Sequence, residues 1–536
     1  MKFQLVIPMS GIGLRFINEG YKVPKPLIEV NGKPIINHVF NIFKNIESVV
    51  FICNEDHLAD KKLNMMMTLK EIHPNSNVVS IKPHKKGPVF AVLQALDFIN
   101  PKMPTIVNYC DFFCLFNEKS FIEMIKKENP DGCIFTYTGF HPHMISSTNY
   151  AYVSKLKNSV KDIQEKKPFT NEPMNEEASS GSYYFKSGLI MKNYFKKTLA
   201  SNLEIKGEYY VSMVYKIMLN EGKKVNTFLI DHFMQWGTPS DLKEYLWYSD
   251  LFKSLINNQN SFRPYQIGTI LMPMAGEGKR FKIKGFTLPK PLIEVSGKNM
   301  FQQALNDLPV MDSYHLVIKN NQLSNFRNLE LIKENKKNNI NLLVLDKPTK
   351  GQADTCLQAI ENLSLNTPLT ISACDMGIIF DYKNFKNLMD NDNVDIIVWG
   401  CRGYPGAIKN PQMYGWIIEE KNIIKKIIVK KNTKNPQDDP CVIGTFTFKK
   451  PEFFSKAAQI LIEKKHTVNN EYYVDSCINE AIGLGLNVVF MEVQFFLCWG
   501  TPNDLHTYKY WQECFNKWND HPYKKILDND FNNILT

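Results

Sequence analysis

The heptapeptide PKPLIEV stands at residues 24–30 and is written again at residues 289–295. It is not an isolated echo. IPMSGIGLRF at 7–16 has MPMAGEGKRF at 272–281 as its counterpart, at the same offset of 265 residues. Farther along, Asp111 in TIVNYCDFF corresponds to Asp375 in TISACDMG at an offset of 264. The two copies of EYYV, starting at Glu208 and Glu471, correspond at 263, as do QWGTP and CWGTP with Trp236 and Trp499. Colinear segments with so small a drift describe a tandem duplication. One copy is expected to span 1–258 and the other 264–536, joined by the polar, proline-ended stretch INNQNSFRP at 256–264. With 536 residues, each copy can bury a full core.

Within each copy a β-rich apolar run, at 3–7 and at 268–271, leads into a glycine loop. Later apolar runs such as VVFIC (49–53), TIVNYC (105–110), LTISAC (369–374) and DIIVWG (395–400) alternate with helical patterns such as VFAVLQALDFI (89–99). Short buried strands separated by amphipathic helices predict an α/β domain, its sheet mainly parallel, with ligands at the carboxyl ends of the strands.

Several function classes are disfavoured. The net charge is +10, but the basic residues are interleaved with acidic ones along the whole chain, which suits a surface attracting small phosphate-bearing molecules better than a nucleic-acid interface. No apolar run approaches the roughly 18 residues that cross a bilayer. MKFQLVIPMS lacks the apolar core and cleavage site of a signal peptide, so a cytoplasmic address is expected. The eleven cysteines are odd in number and contain no CxxC pair, which predicts reduced thiols; Cys110 and Cys114 have no second pair to complete a metal site.

The repeated motifs carry a specific chemistry. Gly11 and Gly13, like Gly276 and Gly278, place residues without side chains where backbone N–H groups approach an anion, and Arg15 and Arg280 follow with a guanidinium that forks onto phosphate oxygens. A triphosphate is the natural guest. The third glycine of a dinucleotide fingerprint and the GK[ST] of a Walker loop are both missing. Prolines on either side of Lys25 and Lys290 predict an ammonium presented on stiff, extended backbone. Asp111 and Asp375 each close an apolar strand, where a carboxylate suits a hard divalent cation.

Taken together, IPMSGIGLRFINEGYKVPKPLIEVNGKP and its second copy resemble the signature of the sugar-1-phosphate nucleotidyltransferases, and most closely a branch associated with capsule and surface polysaccharide. The likeness continues through EKKP (165–168), GSYYF, GEYYV and WGTPSDL in the first copy, and VKK (429–431), GTFTF, NEYYV and WGTPNDL in the second. It implies two tandem Rossmann-like, GT-A-like domains, each a mainly parallel mixed sheet flanked by helices. The implied reaction is a Mg2+-dependent joining of a nucleoside triphosphate (NTP) and a sugar 1-phosphate, or a related phosphorylated alcohol, to give a nucleotide sugar and pyrophosphate. By the same resemblance Arg15, Lys25, Arg280 and Lys290 bind the triphosphate and neutralise the leaving pyrophosphate. Asp111 and Asp375 hold the metal, Lys166 and Lys430 meet the sugar phosphate, Glu208 and Glu471 meet sugar hydroxyls, and Gly87 and Gly351 pack backbone against the nucleotide.

The chain also departs from the family pattern. Leu14 and Lys279 stand where a hydroxyl usually precedes the loop arginine; Gln235 and Cys498 replace a second metal-binding aspartate, for which Asp231 is a substitute in the first copy only. Val429 replaces Glu165. Two alternatives stay open at this level: one catalytic copy with a regulatory or scaffold partner, and a glycosyltransferase on a related fold, although neither Asp111 nor Asp375 begins a DxD motif.

Overall fold

The computed structural model describes residues 1–257, 265–327, 329, 332, 339–361, 363 and 366–528. The described residues form two compact units, 1–246 with 517–521, and those of 247–516 with 522–528. The linker read at 256–264 lies outside the described residues from Asn258 onward.

Each unit is built on one mixed nine-stranded sheet. In the first, Asn77–Ile81, Ile46–Asn54, Phe3–Met9 and Thr105–Asn108 lie side by side in parallel. The sheet continues through Glu177–Phe185, Gly132–Tyr137, Val225–Leu229, Ser159–Glu165 and Ala151–Leu156, antiparallel except where Gly132–Tyr137 meets Val225–Leu229. The second unit repeats this order strand for strand: Ile340–Leu345, Ser313–Lys319, Thr269–Pro273, Leu369–Ser372, Cys441–Phe448, Ile396–Cys401, Val488–Glu492, Ile423–Val429 and Gly415–Glu420.

The central strands are buried and mainly apolar because helices cover both faces of a parallel sheet, and the polar Gln4 is paired inside it with Thr105 at 2.7 Å. Every residue of Phe3–Met9 is buried. In the second unit Ile270, Met272, Leu316 and Ile318 point into one apolar cluster, while Leu271 and Val317 point into the cluster on the opposite face. Fully burying each such side chain contributes about 1.5–3 kcal/mol. Because these strands run in parallel, their carboxyl ends share one edge, and there the glycine loops and strand-end aspartates collect.

Three local features position that edge. Gly13 (φ 72°) and Gly278 (φ 62°) cap the short helices Leu14–Asn18 and Lys279–Ile283 in left-handed conformation, which a side chain would strain. The proline-flanked lysines differ from the extended backbone expected of them: Lys25 and Lys290 open the 3-10 turns Lys25–Leu27 and Lys290–Leu292. Pro24 and Pro289 are the extended residues, and their carbonyls accept from Leu27 and Leu292 at 2.9 and 2.8 Å. Pro26 and Pro291 sit where a turn leaves N–H groups unpaired in any case, so the missing donor costs nothing.

The WGTP motif is a packing and capping device. Trp236 and Trp499 are fully buried, the first against His38 and Tyr245 and the second against Tyr508. The next threonine caps the following helix: the Asp241 and Asp504 N–H groups each donate to the Thr238 or Thr501 hydroxyl at 3.2 Å, and the threonine hydroxyls donate back to those carboxylates at 2.7 Å.

His141 and His143, on either side of Pro142 at the 3-10 turn Pro142–Met144, are buried against Tyr137 and Phe233. Burial pushes the His141 imidazole down to about 4, helped by the nearby His232. An unfolded chain protonates this histidine near pH 6.5, so between about pH 6.5 and 4 the unfolded state binds more protons and stability falls as pH falls. The first unit is expected to lose up to about 3 kcal/mol from this source over that window. A pH series of thermal melts checks it: His141→Gln should flatten the acid slope, and an unchanged slope would contradict the assignment.

Candidate active site

In the first copy the Lys25 ammonium donates to an Asp111 carboxylate oxygen at 2.8 Å, with the two side chains 22% and 23% exposed. Lys290 and Asp375 form the same ion pair in the second copy, at 21% and 24% exposure, and Lys290 also donates to the Gly500 carbonyl at 3.0 Å. Burial works against each lysine's charge, but the aspartate outweighs it and holds the ammonium above the ordinary lysine range. Burial likewise opposes the Asp375 carboxylate, and Lys290 overrides it, keeping the group below its ordinary value. Arg15 lies close enough to Lys25 to press on its charge, and both Arg15 and Arg280 are exposed at the start of their helices.

In the second copy these groups line one cleft of about 540 Å3. Gly276, Gly278, Arg280, Lys290, Gly351, Asp375 and Glu471 all contribute to it. Lys430 is coupled electrostatically to both Asp375 and Asp475. In the first copy Tyr109 feels the charges of Asp111 and Glu165, and Glu165 feels those of Lys166 and Glu208. Gly11 and Gly13 form the loop that leads to Arg15. The sequence-predicted residues of each copy therefore converge on one region.

Lys166 and Lys430 both adopt a left-handed backbone, φ 58° and 51°, a strained choice for lysine made at the same place in both copies. Their N–H groups donate to the Tyr150 and Tyr414 carbonyls at 2.9 and 3.1 Å, which fixes the turn. The Lys166 ammonium then donates to the Tyr210 hydroxyl at 2.5 Å and lies 4.4 Å from the centre of its ring, while Tyr210 donates to Glu208. In the second copy Lys430 lies 5.7 Å from the ring of Tyr473, itself bonded to Glu471, and directs its ammonium to the Met413 carbonyl. Sequence reasoning selected the glutamates of EYYV and missed the second tyrosines. The repetition of the whole tetrapeptide was the available signal.

Gly87 (φ 81°) and Gly351 (φ 116°) meet protein backbone on their open side. A Cβ there would lie 2.8 Å from both the N and O of Tyr209, or 2.6 Å from those of Tyr472.

In each copy one strand-end carboxylate suits a hard divalent cation. A Cβ built on Gly237 would lie 2.9 Å from an Asp111 oxygen and 3.0 Å from the Gln235 amide nitrogen, which is a hydrogen-bond donor and no metal ligand, so the Asp111 carboxylate is the hard donor at this point. In the second copy the corresponding point on Gly500 is 3.2 Å from an Asp375 oxygen and 3.5 Å from the Cys498 sulfur, again one hard donor. Asp231 does not make up the set. It precedes the ladder His232–Gln235, whose opposite end at Gln235 pairs with Phe112 beside Asp111. Among the described residues no three His, Cys, Asp or Glu side chains cluster as metal ligands, so substrate oxygens and water would complete the shell. All eleven cysteines are buried and free, Cys110 and Cys114 included, and no helix among the described residues is long and apolar enough to cross a membrane.

A duplicated α/β sheet whose carboxyl edge gathers a glycine loop, an arginine, a lysine–aspartate pair and a second lysine defines a phosphate-handling class of protein. The comparison with known families agrees: the Nucleotidyl transferase model matches residues 6–245 and again residues 269–511. The chain belongs to the nucleotidyl transferase family, with two tandem copies of its domain. It is similar to the bifunctional protein GlmU of Clostridioides difficile (strain 630), with 27% identity over 241 residues, 42% of this chain and 47% of that protein. The GlmU protein of Fervidobacterium nodosum is 26% identical over 213 residues, 39% of this chain and 42% of that one. The chain spans about half the length of the curated relatives it matches. Among solved structures, the nucleoside-diphosphate-sugar pyrophosphorylase from Vibrio cholerae RC9 aligns with 45% of this chain and 99% of its own, at 20% identity and a TM-score of 0.37. A UDP-glucose pyrophosphorylase from Acinetobacter baumannii aligns with 48% and 99%, at 17% identity and a TM-score of 0.37.

Proposed function

We propose that the chain is a bifunctional nucleotidyltransferase, with domains 1–258 and 264–536 each joining a nucleoside triphosphate to a sugar 1-phosphate or related phosphorylated alcohol and releasing pyrophosphate. The nucleotide sugars so formed would serve capsule or surface-polysaccharide synthesis. The observation that supports two active sites best is the same semi-buried lysine–aspartate pair in both copies, Lys25 with Asp111 and Lys290 with Asp375. A copy kept only as a scaffold has no reason to hold a lysine's charge against partial burial.

The chemistry needs no general base. A phosphate monoester is largely a dianion near neutral pH; one of its oxygens attacks the α-phosphorus in line, a new P–O bond forms, and the bond to the β-phosphate oxygen breaks as pyrophosphate leaves with the electron pair. The protein's work is placement and charge. Arg15 and Lys25, or Arg280 and Lys290, hold the triphosphate tail and offset the charge that grows on the departing pyrophosphate. Lys166 or Lys430 holds the attacking phosphate, and Glu208 or Glu471 fixes the tyrosine beside it. Magnesium, when bound, supplies further positive charge against the triphosphate oxygens, and Asp111 and Asp375 are the residues that would hold it.

Pyrophosphate release over a grid of triphosphates and phosphorylated acceptors tests this reading on the full chain. Because both arginines are exposed, Arg15→Ala and Arg280→Ala are each expected to cost about 30- to 100-fold, each in its own subset of the grid. A single subset removed by one variant alone would leave one working site, and no response to either variant would overturn the reading.

A further inference from the structure

The first copy carries Glu165 beside its substrate lysine and the second has Val429 there, which looks like the loss of a carboxylate. The sheet register shows otherwise. Glu165 pairs with Ala151 across the strands Ser159–Glu165 and Ala151–Leu156, and its carboxylate accepts from Ser212 at 2.6 Å, the second residue of the helix Val211–Asn220. At the same three positions of the second copy, Val429 pairs with Gly415, and the second residue of the helix Val474–Gly483 is Asp475. Asp475 is 9% exposed, and a Cβ on Gly415 would stand 2.5 Å from its carboxylate oxygen. Ala, Glu and Ser in one copy have thus become Gly, Val and Asp in the other. The alanine's methyl is absent where the relocated carboxylate needs its space.

Three coordinated differences that keep one carboxylate beside the lysine are hard to attribute to packing. Burying a carboxylate is costly, and a site needing only bulk would accept an apolar side chain on the helix as well as on the strand. Lys430 draws on Asp475 electrostatically while its own ammonium goes to the Met413 carbonyl, just as Lys166 acts on Glu165 while bonding Tyr210. A buried carboxylate next to a phosphate-holding lysine suits a ligand that presents hydroxyls close to its phosphate.

We propose that Asp475 is the hydroxyl-recognition residue of the second site, replacing Glu165, and that its shorter side chain and different origin select a phosphorylated polyol or sugar unlike the first site's. This rests on the reading of both copies as nucleotidyltransferase sites.

The test uses the full chain carrying Lys25→Met, so that the second site reports alone. The probes are UTP, CTP, GTP, ATP and dTTP with glucose 1-phosphate, N-acetylglucosamine 1-phosphate, galactose 1-phosphate and glycerol 3-phosphate. Asp475→Asn, nearly isosteric, is expected to lower kcat/KM for the acceptor about 100-fold while leaving the KM for triphosphate within about twofold. The triple replacement Gly415→Ala, Val429→Glu and Asp475→Ser should restore turnover and shift the acceptor preference towards the first site's. Equal rises in both KM values would mark a structural role and overturn the inference. So would an Asp475→Asn variant matching its parent, or a triple variant with the parent's preference. A chain that turns over no pair of probes at either site, tested without Lys25→Met, counts instead against the nucleotidyltransferase reading and removes the inference with it.

Discussion

Lys290→Met is expected to silence the second site about 10³-fold, roughly 4 kcal/mol of transition-state stabilisation, and Lys25→Met should do the same to the first. Methionine keeps the length and apolar stem of lysine, so the change is one of charge rather than packing. The large effect follows from where that charge is kept. Lys290 is held by a 3-10 turn between two prolines, paired with Asp375 and bonded to the Gly500 carbonyl, so in the proposed role it would meet a triphosphate with little freedom left to lose. An exposed arginine is already well solvated and its removal costs less. Each lysine variant also leaves a partly buried aspartate without its ammonium, which adds to the loss. Pyrophosphate release on the full chain measures the effect, with thermal melts alongside. If either variant depresses both subsets of activity equally, the two lysines do not serve separate sites.

What could be read from the sequence was whatever repeats locally. The constant offset between the two PKPLIEV segments exposed the duplication, and the two sheets share one strand order as a duplication requires. The glycine loops, Lys25 and Lys290, and the strand-end aspartates were legible because each motif is a short stretch with an evident preference for anions or cations. Their mutual arrangement was not. Lys25 and Asp111 are 86 residues apart, and no local pattern says that they pair in the absence of ligand. The relocation of a carboxylate to Asp475 was hidden for the same reason, since it needs the register of Gly415 against Val429 and the facing end of a helix. The turn at Lys25 escaped because the restriction a proline places on its predecessor is a bias, and two backbone hydrogen bonds overcame it. The histidines at 141 and 143 lie at a loop and its 3-10 turn, but their packing against Tyr137 and Phe233 brings in a distant partner that no local pattern names.

Gly351→Ala is expected to destabilise the second unit by about 3 kcal/mol or more and to remove most of its activity, and Gly87→Ala should act alike on the first. Both glycines have positive φ, so an L side chain is strained before any contact is considered. The contact is then prohibitive, because the added Cβ would fall 2.6 Å from the Tyr472 backbone, or 2.8 Å from that of Tyr209, and backbone cannot swing aside as a flexible side chain does. Two hydrogen bonds hold the segments together at this point: Tyr472 N–H donates to the Lys350 carbonyl at 2.7 Å, and Ala353 N–H to the Tyr472 carbonyl at 2.9 Å. Tyr209 makes the equivalent pair with Lys86 and Val89. Any relief of the clash must therefore move EYYV, and with it Glu471 and Tyr473 beside Lys430. Two roles for the glycine make different predictions. Were it needed only so that a nucleotide can approach the backbone, alanine would raise the triphosphate KM and leave the melting temperature alone. A glycine that clamps the loop to EYYV should lower the melting temperature in the absence of any nucleotide and impair use of the acceptor as well, and melts of the ligand-free chain with separate KM values for the two substrates distinguish the two.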